Sequence, residues 1–224
     1  MRIVNAAADA LIVYFGDVIS KKTSKRVYYA LQALKGSEGV CELTPSYTSL
    51  MVTFDPLVHS PSTCKALIET KLDVLQEEGE GGKPRSMVIP VWYDPASGMD
   101  LRALAEEKER SMEEIIALHV KPTYQVYAIG FLPGFPYMGT VDEALASPRL
   151  ANPRDKIPKN SVAIAENQTA IYPQASPAGW RVLGRTPQVM FDAKYEGMSY
   201  LRVGDAVQFE PITKAQYLSL GGEL

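Results

Sequence analysis

The sequence predicts an α+β chain with two unlike halves, an alternating strand–helix sandwich over residues 1–85 and a many-stranded β domain over residues 86–224. Three observations carry this. Strand-like and helix-like apolar periodicities alternate through the first ninety or so residues. A charged, glycine-rich stretch without apolar anchors follows at 77–85 and reads as a flexible connection. Beyond Pro122, short alternating runs are punctuated by proline and glycine, the texture of a barrel or sandwich.

In the first half, the apolar run at 10–15 reads as a strand that Gly16-Asp17 ends. Ser20 is placed to cap a helix whose stripe is Val27, Ala30, Leu31 and Leu34, with Gly36 ending it. Residues 46–54 alternate, with Thr48, Leu50, Val52 and Phe54 on one face of a half-buried strand. A second helix from about Ser62 buries Cys64, Leu67, Ile68, Leu72 and Leu75. The order β-α-β-α-β, closing on the run 87–93, fits a split βαβ sandwich of the ferredoxin-like kind. Within the connection, Gly79-Glu-Gly-Gly-Lys83 imitates a phosphate loop, but no Ser or Thr follows the lysine and Pro84 removes a needed N–H.

The second half opens with two short helices, the latter starting on a Ser111-x-x-Glu114 capping box. Strands are expected at 124–129, 162–165, 169–172, 180–183, 189–191, 201–203 and 206–209, a hairpin turn at Gly204-Asp205, and a final helix capped by Thr213.

Composition narrows the function classes. A net charge of −3 argues against a nucleic-acid partner. No apolar run reaches membrane-spanning length, and the apolar N-terminal stretch is broken by Asp9 without a basic leader. With only Cys41, Cys64, His59 and His119, neither a disulfide framework nor a metal site is expected, and a cytoplasmic location follows.

The most informative stretches are 130–139 (GFLPGFPYMG), 167–173 (NQTAIYP) and 176–187 (SPAGWRVLGRTP), where proline, glycine and aromatics alternate too densely for a helix. They read as a rigid built surface with Phe131, Pro133, Gly134 and Phe135 forming a pocket or partner loop. Tyr137 and Tyr172 can present hydroxyls from it, or serve as packing pieces. Gln168 is a candidate ligand contact, because turn chemistry accounts for Asn167 better than for its neighbour. Arg185 can fork onto a carboxylate or phosphate, or form an ion pair. Arg149 and Arg154 have the same two readings, and Trp180 either joins the exposed patch or closes one end of the barrel. His119 ends a short helix, where the dipole favours its charged form; it is a packed histidine or an acid–base catalyst.

Those same stretches, with the proline/arginine segment 148–158, resemble the signature of the bacterial 5-oxoprolinase B-type family, also called KipI-like or allophanate hydrolase subunit 1-like. Its motifs read G-F-x-P-G-F-P-Y-L-G, N-Q-T-G-I-Y-P and S-P-G-G-W-x-L-I-G-R-T-P, and residues 39–56 resemble its first domain. The resemblance implies a ferredoxin-like domain followed by a cyclophilin-like β-barrel. It implies a larger, KipA-like C subunit that activates a lactam with ATP, and an A subunit that completes conversion of 5-oxoproline to glutamate. It offers two alternatives, an inhibitor of a sensor histidine kinase and a urea or amide carboxyltransferase component. The latter would need a separate biotin carrier, since the chain has no Met-Lys pair. Thr140, Glu166, Ala170 and Ala178 stand at usual glycine positions, adding bulk that narrows the pocket or alters the interface.

Overall fold

The computed structural model describes residues 1–78 and 84–224, the side chains of 74–78 excepted. The phosphate-loop imitation at 79–83 and the burial of Leu75 lie outside the described residues. The chain divides into two compact units, Met1–Pro84 and Arg85–Leu224.

The first unit runs β1 (Arg2–Ala7), β2 (Ala10–Tyr14), α1 (Lys21–Leu34), β3 (Val40–Pro45), β4 (Ser49–Phe54) and α2 (Pro61–Glu78). Ser20 caps α1 by accepting the Thr23 N–H at 3.1 Å. The antiparallel sheet has the order β1-β2-β4-β3. Its pairs Leu11 with Val52 and Val13 with Leu50 put their side chains into one core with Val27, Ala30 and Leu34 of α1 and Cys64, Ile68 and Leu72 of α2. The expected closing strand at 87–93 does not belong here. That run forms β5 (Ser86–Val91) of the other unit, where Ile89 and Val91 are buried. The N-terminal hairpin strand β1 supplies the fourth strand instead; as a largely exposed edge it carries little apolar periodicity.

The second unit continues from β5 with α3 (Leu101–Glu107), α4 (Met112–Val120), β6 (Tyr124–Ile129), β7 (Pro136–Gly139), β8 (Arg154–Ile157), β9 (Ser161–Ala165) and β10 (Gln168–Ile171). It ends with β11 (Ser176–Ala178), β12 (Arg181–Arg185), β13 (Ala206–Pro211) and α5 (Lys214–Ser219). Seven strands form one sheet in the order β12-β9-β10-β7-β6-β13-β5, antiparallel except for β13 with β5. Just beyond β5, Trp92 and Arg185 of β12 exchange N–H···O=C bonds of 2.9 and 3.1 Å, so the sheet nearly closes into a barrel. Val126, Met138, Ile164, Leu183 and Val207 share one core with Leu101 and Leu104 of α3 and Ile115 of α4. The capping box expected at Ser111 is present, and Thr213, expected as a cap, also forms a capping box, with Gln216.

Two expected strands are absent. Residues 189–191 contribute only an isolated bridge between Phe191 and Ser199, and 201–203 lead into the Gly204 turn rather than a hairpin. Five strands escaped the sequence reading: β1 and β3 of the first unit, and β7, β8 and β11 of the second, the last three each beside or containing a proline. Pro136 is tolerated because it is the first residue of its strand.

His119 belongs to this core. Its side chain is fully buried and stacks on Phe209 at 4.7 Å. Thr169 gives its hydroxyl proton to the Ala163 carbonyl at 3.1 Å, so it accepts from His119 Nε2–H at 2.9 Å. Nδ1 is then the acceptor for the Tyr93 hydroxyl at 2.7 Å. This satisfies a neutral imidazole, and burial lowers its pKa to about 3. The charged form expected from the helix dipole is therefore not the one present; desolvation outweighs the dipole.

Two outcomes follow from this packing. Between the ordinary histidine pKa near 6.5 and about 3, the unfolded chain binds a proton that the native His119 refuses. Stability should fall by about 1.4 kcal/mol per pH unit as acidity rises through that window. His119→Gln should cost about 2–3 kcal/mol at pH 8 yet show a shallower acid slope, read by chemical denaturation at several pH values. At the barrel seam, a Cβ on Gly184 would lie 2.6 Å from the Trp92 carbonyl oxygen and 2.9 Å from Val91 Cγ1. Gly184→Ala should therefore destabilise by about 1–3 kcal/mol, measured as a drop in denaturation midpoint.

Candidate functional site

A cavity of about 110 Å³ opens among Phe131, Phe135, Tyr137, Arg149, Tyr172 and Trp180, with residues 177–179 completing its wall. The stretch 130–139 builds half of it. After β6, Gly130 donates to the Phe135 carbonyl and Phe135 to that of Leu132, so the chain folds back within a few residues. Gly134 has φ +80°, and a Cβ there would sit 2.9 Å from the Met190 carbonyl oxygen and from Phe191 Cβ. Only glycine meets both conditions. Phe131 holds a φ of +69°, a left-handed conformation that is strained for a bulky side chain, and is 63% exposed. Pro133 is exposed on the outside of the bend, and Pro136 starts β7.

Phe135 is the hub. Its ring meets Phe131 at 5.4 Å, Tyr137 at 4.8 Å, Tyr172 at 5.0 Å and Trp180 at 5.8 Å, with interplanar angles of 64–85°. Edge-to-face pairs of this kind contribute roughly 0.5–1.5 kcal/mol each beyond area burial. Tyr172 comes from the end of β10, Trp180 from the entry to β12, and Ala178 from β11. Burial raises the Tyr137 hydroxyl above its ordinary range, with Arg149 pulling the other way. For Tyr172, burial and then Tyr137 push it up to about 12 against the same arginine. Both hydroxyls therefore keep their protons at neutral pH, and that of Tyr172 can donate to a ligand.

Arg149 lies over the Trp180 ring at 5.9 Å. Two neighbouring arginines are neutralised, Arg154 by a bidentate pair with Asp100 at 2.6 and 2.8 Å and Arg181 by Glu107 at 2.8 Å. Arg149 has no carboxylate partner among the described residues, and no acidic side chain lines the cavity. An aromatic cage suits a cation in general, but this one carries a positive charge already. A second charge roughly 5 Å away would cost about 3 kcal/mol at an effective dielectric of 20. The lining therefore disfavours a cation.

Of the expected site residues, the structure gathers Phe131, Phe135, Tyr137 and Tyr172 here, with Pro133 and Gly134 shaping their loop. Gln168 is half-buried at the start of β10, paired with Gly139 and Ala165, and does not line the cavity. Arg185 is only 7% exposed; its Nε donates to the Lys159 carbonyl at 3.3 Å and its guanidinium packs over Tyr217. It is a seam residue of the barrel, not an anion contact in this cavity. His119 is sealed in the core. Arg149 and Trp180 join the site from stretches whose sequence also allowed a solvated loop for the one and a plug at the end of the barrel for the other. Among the glycine-position substitutions, only Glu166 has a positive φ, +54°; Thr140, Ala170 and Ala178 do not. Ala178 is the one that borders the cavity, narrowing it by a methyl group.

Among the described residues no group of histidine, cysteine or carboxylate side chains is arranged to hold a metal ion. No described helix is long and apolar enough to cross a membrane.

Comparison with known proteins places this architecture. The 5-oxoprolinase B subunit of Bacillus subtilis is 34% identical over 221 residues, spanning 93% of this chain and 92% of the relative. The crystal structure of TTHA0988 superposes with a TM-score of 0.78 at 35% identity, covering 91% of this chain and 39% of that one. The urea amidolyase of Kluyveromyces lactis, 14% identical, shares the fold with a TM-score of 0.71 over 97% of this chain and 15% of its own. The family model for the carboxyltransferase domain, subdomain C and D, matches residues 1–201, and the chain belongs to that family.

Proposed function

We propose that the chain is the B subunit of an ATP-dependent 5-oxoprolinase, working in the cytoplasm with a larger C subunit, and with an A subunit, to convert 5-oxoproline to glutamate. The observation that carries this reading is the near full-length similarity to proteins named as 5-oxoprolinase B subunits, together with a cavity suited to a small uncharged or anionic ring. On the same reading, the first unit is a split βαβ sandwich in permuted form, with β1 in the place of the usual last strand, and the second a cyclophilin-like barrel.

The cavity supplies binding rather than bond-breaking. The Tyr172 hydroxyl holds its proton and can donate to a lactam oxygen, and aromatic walls flank a ring seated there. Amide resonance in the lactam must be overcome by groups that this lining does not contain, which supports a site shared with a partner polypeptide. A nucleotide does not fit it either. A site of about 110 Å³ with one guanidinium, and without a carboxylate to position magnesium, is too small for a triphosphate, which supports an ATP site outside this cavity.

Reconstituting the three-component complex and following ATP-dependent loss of 5-oxoproline tests the assignment; no turnover by a correctly assembled complex would sink it. In the active complex, Tyr172→Phe removes one donor and should lower kcat/KM roughly tenfold, the worth of a single hydrogen bond. Unchanged kinetics would remove the Tyr172 hydroxyl from the reading.

A further inference from the structure

We propose that the aromatic cavity is a subsite for a small ring-bearing monocarboxylate, with Arg149 recognising the carboxylate and the rings of Phe131, Phe135 and Tyr172 holding the body. This deepens the functional reading above and rests on it only for the identity of the ring, since the lactam acid of that reaction is one member of the class.

Four features of the cavity converge on this class. The first is charge. Arg149 stands at the cavity without a carboxylate partner among the described residues, while Arg154 and Arg181 nearby are each satisfied by an acid. A guanidinium offers two parallel donors matched to a carboxylate, and that of Arg149 lies over the Trp180 ring at 5.9 Å, at the cavity's edge.

The second is size. An apolar cavity of about 150 Å³ admits benzene. At about 110 Å³, this one has room for at most a single small ring and excludes a fused or extended body. The third is surface. Phe131 is held in a strained backbone conformation with most of its ring in water, at the edge of the cavity rather than packed away. A ring seated against it recovers apolar contact that the free protein forgoes. The fourth is the donor set. Tyr172 brings a hydroxyl to the same lining, so a ring carrying an acceptor oxygen meets a donor there.

The test is a titration of the purified full chain, following the Trp180 indole resonance by NMR. The probes are 5-oxoproline, cyclopentanecarboxylate and the neutral lactam 2-pyrrolidinone. Both acids should shift the signal saturably, and the neutral lactam should bind at least tenfold more weakly than 5-oxoproline. Arg149→Gln should abolish that difference and Arg149→Lys should retain part of it. Arg102→Gln, which removes the same charge from an exposed position on α3, should leave it intact. Equal affinity for acid and neutral lactam, undiminished acid binding by Arg149→Gln, or no saturable binding of either acid at tens of millimolar would each overturn the proposal. Turnover by the wild-type complex is scored separately. A failed turnover assay thus leaves the binding result standing, and failed binding leaves the turnover result standing.

Discussion

Closure of the second unit's sheet at Trp92 and Arg185 is the constraint on which the rest of that unit depends. Two reciprocal backbone hydrogen bonds join the end of β5 to β12, satisfying groups that an open edge would leave unpaired. The approach is possible because Gly184 has no side chain to hold the Trp92 carbonyl away. With the seam shut, Ile89, Val91, Leu183 and Val162 become interior positions of one core rather than two faces of an open sheet. The Arg185 side chain is then committed to the seam, packed over Tyr217, and this is why a residue in a promising motif ends up outside the cavity.

From the seam, order passes to the cavity through Asp100. Its buried carboxylate accepts the Val182 N–H at 2.7 Å on β12 and both terminal nitrogens of Arg154 on β8. A buried carboxylate with a bidentate partner and a backbone donor is well compensated, and losing either partner would leave charge uncompensated. The β8–β11 ribbon is thereby tied to the barrel wall, and β11 delivers Ala178 and its neighbours to the cavity. A carboxylate at the start of α3 thus helps to position an aromatic wall that it does not itself line.

The sequence made the regular parts of this arrangement legible where periodicity and capping agree. Ser20, Ser111 with Glu114, and Thr213 with Gln216 mark helix starts because their side-chain oxygens satisfy otherwise unpaired backbone donors. The alternation in Leu50, Val52 and Phe54 marks a strand because one face is buried. Strand membership was less legible. The run 87–93 is apolar in either unit, and nothing local says that its partner is β13, about 120 residues later. Strands β7, β8 and β11 were hidden because proline obscures a strand signal at the positions where it is tolerated. In the cavity, the Phe131, Phe135, Tyr137 and Tyr172 cluster follows from one dense motif and its companion turn. Arg149 could not be separated from Arg154 by sequence, since the distinction is made by Asp100, some fifty residues away in the chain.

Burial also decides which groups of this unit respond to pH. His119, held near 3, and Tyr172, pushed up to about 12, are both fixed in their neutral forms across the physiological range. Desolvation sets both, acting on an acid and a base in opposite directions while favouring the uncharged state in each. A guanidinium keeps its charge over the same range. The cavity therefore combines one permanent positive charge with hydroxyl donors that do not ionise. Its preference between anion and cation is set by covalent identity rather than by titration. A lining of this kind moves no proton of its own, so on the proposed reading any proton transfer must use groups brought to the ligand from outside it.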